Sequence, residues 1–68
     1  MIEGVIAAFD DERGDGVFRD LRGEALYFHC VNIASGSRTI PVGVRARGTR
    51  AVGHLGADEV ADIVALGP

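Results

Sequence analysis

Apolar residues fall in short runs along the chain, and clusters of Gly, Asp and Arg separate them. The first run, Met1 to Phe9, is dominated by β-branched and aromatic side chains and predicts a strand. Gly4 inside it predicts a bend or bulge. Asp10 to Gly14 is polar and ends in Gly, which suits a hairpin connection of about five residues. Gly16 to Asp20 is a second strand. Side chains alternate along a strand, so Val17 points outward if Phe18 points inward. Leu21-Arg22-Gly23-Glu24 marks a second turn. Ala25 to Cys30 is a third strand. Its Leu26 and Phe28 share a core-like face, and Tyr27 and His29 share a ring-bearing, polar-tipped one.

The second half of the chain is looser. Val31-Asn32-Ile33 suits a short helical turn, with Ile33 covering the end of a barrel. Ala34 to Arg38 is a flexible loop by composition, and Pro41-Val42-Gly43 is a turn. Val44 to Arg50 alternates, with Arg45 and Arg47 on one face and Val44, Ala46 and Gly48 on the other. Those arginines, with Arg50, form either a solvated strand face or a separate basic stripe. Val52 to Gly56 reads as loop. Ala57 to Leu66 supports two readings. Val60, Ile63 and Val64 fit helical spacing with Asp58 as a cap, whereas Ala61, Ile63 and Ala65 fit a strand. The topology of the preceding segments favours the strand.

Five short strands in 68 residues are the count for one small closed barrel. The expectation is a single all-β domain over residues 1–68, built as a five-stranded antiparallel Greek-key barrel. A hydrophobic content of 47% is that of a globular chain. No apolar run approaches the roughly 18 residues of a membrane span. Glu3 stands where a secretory leader carries positive charge, and no apolar core segment follows, so the expectation is a cytoplasmic protein without membrane contact.

Charge and chemistry narrow the function. The formal net charge is -3, and all seven basic residues are arginines. Acids cluster at Asp10, Asp11, Glu12 and Asp15 and again at Asp58, Glu59 and Asp62; the arginines lie mostly between. A basic side on an acidic protein is therefore possible. Cys30 is the only cysteine, which excludes an intramolecular disulfide and a multi-cysteine zinc site. His29 and Cys30 are neighbours on the third strand and should point to opposite faces, so they form no nucleophile–base pair. Asp10-Asp11-Glu12 lacks the spacing and later glutamate of a calcium loop. Gly14-Asp15-Gly16 is too short for a phosphate-cradling loop, and Arg13-Gly14-Asp15 in a cytoplasmic hairpin is a chance tripeptide. The expectation is a binding module, without enzyme activity, metal or cofactor.

In order and spacing these segments resemble the cold-shock domain, an oligonucleotide/oligosaccharide-binding barrel, along nearly the whole chain. The family opens with Gly-x-Val-Lys-Trp-Phe-Asn, and Gly4-Val5-Ile6-Ala7-Ala8-Phe9-Asp10 stands here. Its first ribonucleoprotein motif, Lys-Gly-Phe-Gly-Phe-Ile, corresponds to Arg13-Gly14-Asp15-Gly16-Val17-Phe18. Its second, Val-Phe-Val-His-Phe, corresponds to Leu26-Tyr27-Phe28-His29-Cys30, and Ser-Ala-Ile to Val31-Asn32-Ile33. The later Phe-Lys-Thr-Leu corresponds to Ser37-Arg38-Thr39-Ile40. Core positions keep their size in Ile6, Phe18, Leu26, Phe28 and Ile33.

The resemblance implies weak, unspecific binding of single-stranded RNA or DNA. Bases would stack on Phe9, Tyr27 and His29, with Val17 at a further ring position, and Arg13 and Arg38 would hold phosphates. Family rings are missing at Ala8, Asp15, Val17, Cys30 and Ser37. Asp15 also places a carboxylate where phosphate approaches. With few phosphates neutralised, salt dependence should be shallow. The same losses motivate an alternative. The fold is kept, nucleic-acid binding is lost, and the apolar Ala8–Val17 patch contacts a protein partner or a second copy.

Overall fold

The computed structural model describes residues 1–53 and 58–67. Strands β1 (Ile2–Asp10), β2 (Asp15–Asp20) and β3 (Ala25–His29) are followed by a single 3-10 turn, η1 (Cys30–Asn32). Strands β4 (Arg45–Val52) and β5 (Asp58–Gly67) complete the chain. The strands close in the order β1-β2-β3-β5-β4, a barrel consistent with the oligonucleotide-binding type. The last segment is thus a strand, and the expected helical turn begins one residue earlier, at Cys30. The loop expected over 52–56 falls largely outside the described residues.

The expected purely antiparallel barrel is corrected. Pairs β1–β2, β2–β3, β1–β4 and β4–β5 are antiparallel, but β3 and β5 run parallel. The reason is topological: strand directions cannot alternate around a closed ring with an odd number of members. The parallel seam is short. It consists of the Tyr27–Glu59 pairing, an Ile33–Ile63 bridge and the Ala34 N–H donating to the Ile63 carbonyl at 2.8 Å.

Two irregularities decide which side chains enter the core. In β1, Ile6 pairs with Phe18 and Ala8 with Val17, so Ala7 is an extra residue. This β-bulge resets the alternation. Ile6 is fully buried, Phe9 packs against the core, and Ala8 is exposed. The irregularity that Gly4 suggested falls later, at Ala7. In β5, Ala61 pairs with Thr49 and Val64 with Arg47, so Asp62 and Ile63 together stand opposite Gly48. Asp62 adopts a left-handed backbone, with φ of 53°. Val60 and Ile63 therefore both reach zero exposure although three positions apart. The helical spacing seen in the sequence is the mark of this bulge.

The core comprises Ile6, Phe18, Leu26, Phe28, Ile33, Ile40, Ala46, Val60 and Ile63. Burying a large side chain such as Phe18 or Phe28 contributes roughly 1.5–3 kcal/mol. Ile40 has no strand around it to announce it; it seals the barrel from the 33–44 connection. That connection is tied to β1 by the Ile6 N–H to Val44 carbonyl bond (3.0 Å) and the Gly43 N–H to Ile6 carbonyl bond (2.7 Å).

The β5 bulge yields a test in which strand propensity and backbone geometry disagree. Valine is a strong strand former, yet a β-branched residue at a left-handed position costs about 1–2 kcal/mol. Asp62→Val should lower the denaturant-derived unfolding free energy by that amount, and Asp62→Gly should leave it nearly unchanged. Stabilisation by valine would show that no bulge exists there.

Candidate nucleic-acid interface

Cross-strand pairs share a face, so the pairing register lays out the barrel exterior in rows. Ala8, Val17, Tyr27 and Glu59 form one row across β1, β2, β3 and β5. Beside it, towards the β1–β2 turn, lie Asp10, Asp15 and His29. Tyr27 is 41% exposed and is the only large ring standing free in these two rows.

Asp15 dominates the geometry. One carboxylate oxygen, Oδ2, accepts a hydrogen bond from Arg13 Nη2 at 2.9 Å and another from the Tyr27 hydroxyl at 3.1 Å. The Asp15 side chain keeps only 12% of its accessible surface, whereas that of Arg13 keeps 71%. An acid so covered needs such partners, because burying an unpaired charge is costly. Arg13 and Tyr27 supply them, and each gives up freedom in return. Arg13 is paired within the site while most of its side chain stays in water, and the Tyr27 hydroxyl is tied to the same oxygen. Desolvation pushes the Tyr27 phenol above its ordinary value of 10.0, and the Asp15 hydrogen bond and charge push the same way.

Phe9 is placed by the β1 bulge. Its ring stacks on Phe28 with centroids 5.9 Å apart and planes 16° from parallel. Both flank Gly16, which pairs with Phe9 on one side and Phe28 on the other. A methyl at Gly16 would meet the Ala8 carbonyl oxygen and the Phe28 ring, so glycine makes room for this stack. Gly14 serves the neighbouring turn, with φ of 73°. Asp10 fastens that turn: its Oδ1 accepts from the Glu12 and Arg13 N–H groups at 3.0 and 3.1 Å, the Asx pattern of a tight turn.

Of the residues expected at the site, Phe9, Arg13, Val17 and Tyr27 line one shallow depression of about 310 Å³, shared with Ala8 and Asp15. His29 lies beside Asp15 in the pairing register but has a second task. Its Nδ1 accepts from the Val31 N–H at 3.3 Å, and its own N–H donates to Asn32 Oδ1 at 3.0 Å, so it caps η1. Arg38 is exposed in the connection between η1 and β4 and does not line the depression. The expectation that His29 and Cys30 point apart is corrected. Cys30 Sγ lies 3.7 Å from His29 Nδ1, because β3 ends at His29 and strand alternation ends with it.

Arg50 lies on the exposed face of β4, as the solvated-face reading has it, but it is no free cation of a basic stripe. It pairs with Glu24 at 2.8 Å and with Asp58, and approaches Asp20 at 4.0 Å. The bonds to Glu24 and Asp58 push its guanidinium further above its ordinary value. What sequence reasoning missed was the internal use of Asp15. The signal was partial: Asp15 is two residues from Arg13 across a glycine turn, but its diagonal place beside Tyr27 depends on the cross-strand register.

No protein-family model matches the chain, and a search of curated proteins finds no match.

The chain has one tyrosine and no tryptophan, so absorbance near 295 nm titrates Tyr27 alone. Its midpoint should lie above 10.0. The raised value means that the stabilisation from the Asp15–Tyr27 bond is present below about pH 10 and is lost as pH rises through the elevated midpoint. Asp15→Asn should lower the midpoint. An unchanged midpoint in that variant would show that the carboxylate does not hold the phenol.

Proposed function

We propose that this chain is a divergent cold-shock-like protein that binds single-stranded RNA or DNA in the cytoplasm, weakly and with little sequence preference. It acts as a binding module, without catalysis. The observation that supports this is Tyr27: an exposed ring in line with Ala8 and Val17, oriented by its hydroxyl bond to Asp15. A preoriented ring loses little freedom when a base stacks on it, and stacking tolerates every base because every base has a π-face. Each stacked base is worth roughly 5–150-fold in affinity. One free ring therefore gives weak binding. Phe9 lines the same depression, while the charge of Arg13 is partly offset as long as Asp15 pairs with it.

A second reading is favoured by that same Arg13–Asp15 pair. A positive group of the surface is internally satisfied, and the adjoining Ala8 and Val17 are apolar. Such a face suits a protein partner or a second copy of the chain in place of a polyanion.

Anisotropy of a labelled short single-stranded oligonucleotide at low salt separates the two. The expected result is saturable binding, weakened roughly 5–150-fold by Tyr27→Ala and tightened by Asp15→Asn, which frees Arg13 and removes a charge that repels phosphate. Absence of saturable binding in both the wild type and Asp15→Asn would rule out the nucleic-acid reading. A dimer by sedimentation would then support the second.

A further inference from the structure

We propose that the phosphates of a bound single strand lie along Arg19 and Arg45, with Arg47 beside them, on the flank of Tyr27 opposite Asp15. This rests on stacking at Tyr27 and assigns the course of the backbone past it. Val5 on β1 pairs with Arg19 on β2 and with Arg45 on β4, so the three residues form one exterior row. Strand spacing sets Arg19 and Arg45 about 10 Å apart at the backbone, and Arg47 about 7 Å further along β4. Arg19 pairs with Ala25 and Val17 with Tyr27. Arg19 is thus the diagonal neighbour of the stacking ring, within reach of a long side chain.

Charge decides between the two flanks. Among the described residues, ion pairs engage only Arg13 and Arg50. Arg19, Arg45 and Arg47 are exposed and pair with no carboxylate of the described residues. Arg19 donates one Nη1 bond to the Gly23 carbonyl at 2.9 Å, toward the β2–β3 turn, and has further donors open. Glu3, opposite Arg47, is the one acid paired across strands with these three, so the flank remains positive. The other flank carries Asp10 and Asp15, with Asp11 and Glu12 in the adjoining turn. A polyanion on a chain of net charge -3 is steered to the arginine side, where planar guanidinium forks match phosphate oxygens. Arg13 and Arg38, the phosphate contacts that the family resemblance implies, take no principal part.

The test is the salt dependence of binding to a twelve-nucleotide thymidine oligomer. For single strands the slope of log K against log salt is about 0.7 per neutralised phosphate. Arg19→Gln with Arg45→Gln should weaken binding at low salt and reduce the slope by about 1.4. Arg19→Lys with Arg45→Lys should keep most of the slope, and Arg13→Gln with Arg38→Gln should leave it unchanged. All these residues are exposed, and unaltered thermal unfolding of each variant confirms the fold. A wild-type slope in the Arg19/Arg45 glutamine variant, or its loss in the Arg13/Arg38 variant, would overturn the assignment while leaving stacking intact. Equal binding of poly-glutamate would also overturn it, in favour of an acidic protein partner. A wild type that does not bind the oligomer removes the stacking reading and this inference with it.

Discussion

One extra residue in β1 governs most of what this surface is. With Ala7 unpaired, Ile6 and Phe9 both turn toward the core and Ala8 turns out. Without the bulge, alternation would expose Phe9 and bury Ala8. The inward Phe9 needs the space over Gly16 to stack on Phe28. The outward row then carries Ala8 and Val17 next to a single ring, Tyr27. A second bulge at Asp62 does the same for β5, bringing Val60 and Ile63 inside together. A five-stranded ring this small has few interior positions, and the bulges fill them from strands whose simple alternation would leave gaps.

The exterior follows from a carboxylate that is nearly covered. Asp15 satisfies itself with Arg13 and Tyr27, and this links three residues into one unit. The unit orients the exposed Tyr27 ring and engages the nearest cation. On the proposed function, fold stability and ligand affinity are therefore opposed at this point. The same carboxylate that fastens Tyr27 repels a phosphate chain, and the free arginines lie across β2 and β4. At the other end of the barrel, Arg50 gathers Asp20, Glu24 and Asp58 and so offsets one of the three negative charges there.

Much of the fold was legible from residue pattern. Leu26 and Phe28 alternate cleanly with Tyr27 and His29, and β3 follows that alternation over Ala25–His29. Ile6, Phe18 and Ile33 are large and apolar and are buried. The bulges were not legible, because an inserted residue leaves no compositional trace; Ile6 with Phe9, and Val60 with Ile63, show only a spacing that also fits a helix. The parallel seam was missed, although an odd number of strands around a closed ring requires one. Of the surface, the exposure of Tyr27 was legible from alternation. The joining of Tyr27 to the Arg13–Asp15 pair was not, since it depends on cross-strand register. Nor was the cap that His29 places on η1, which depends on where the strand stops.

The central claim is that Asp15 holds Tyr27 ready and keeps Arg13 from the ligand. It is tested most directly by NMR of the Arg13 side-chain Nε–H during titration with a thymidine oligomer, in the wild type and in Asp15→Asn. The account predicts that the Val17 and Tyr27 amides shift in the wild type while the Arg13 Nε–H stays in place, and that Arg13 joins them only in Asp15→Asn. An Arg13 resonance that moves equally in both proteins would contradict it.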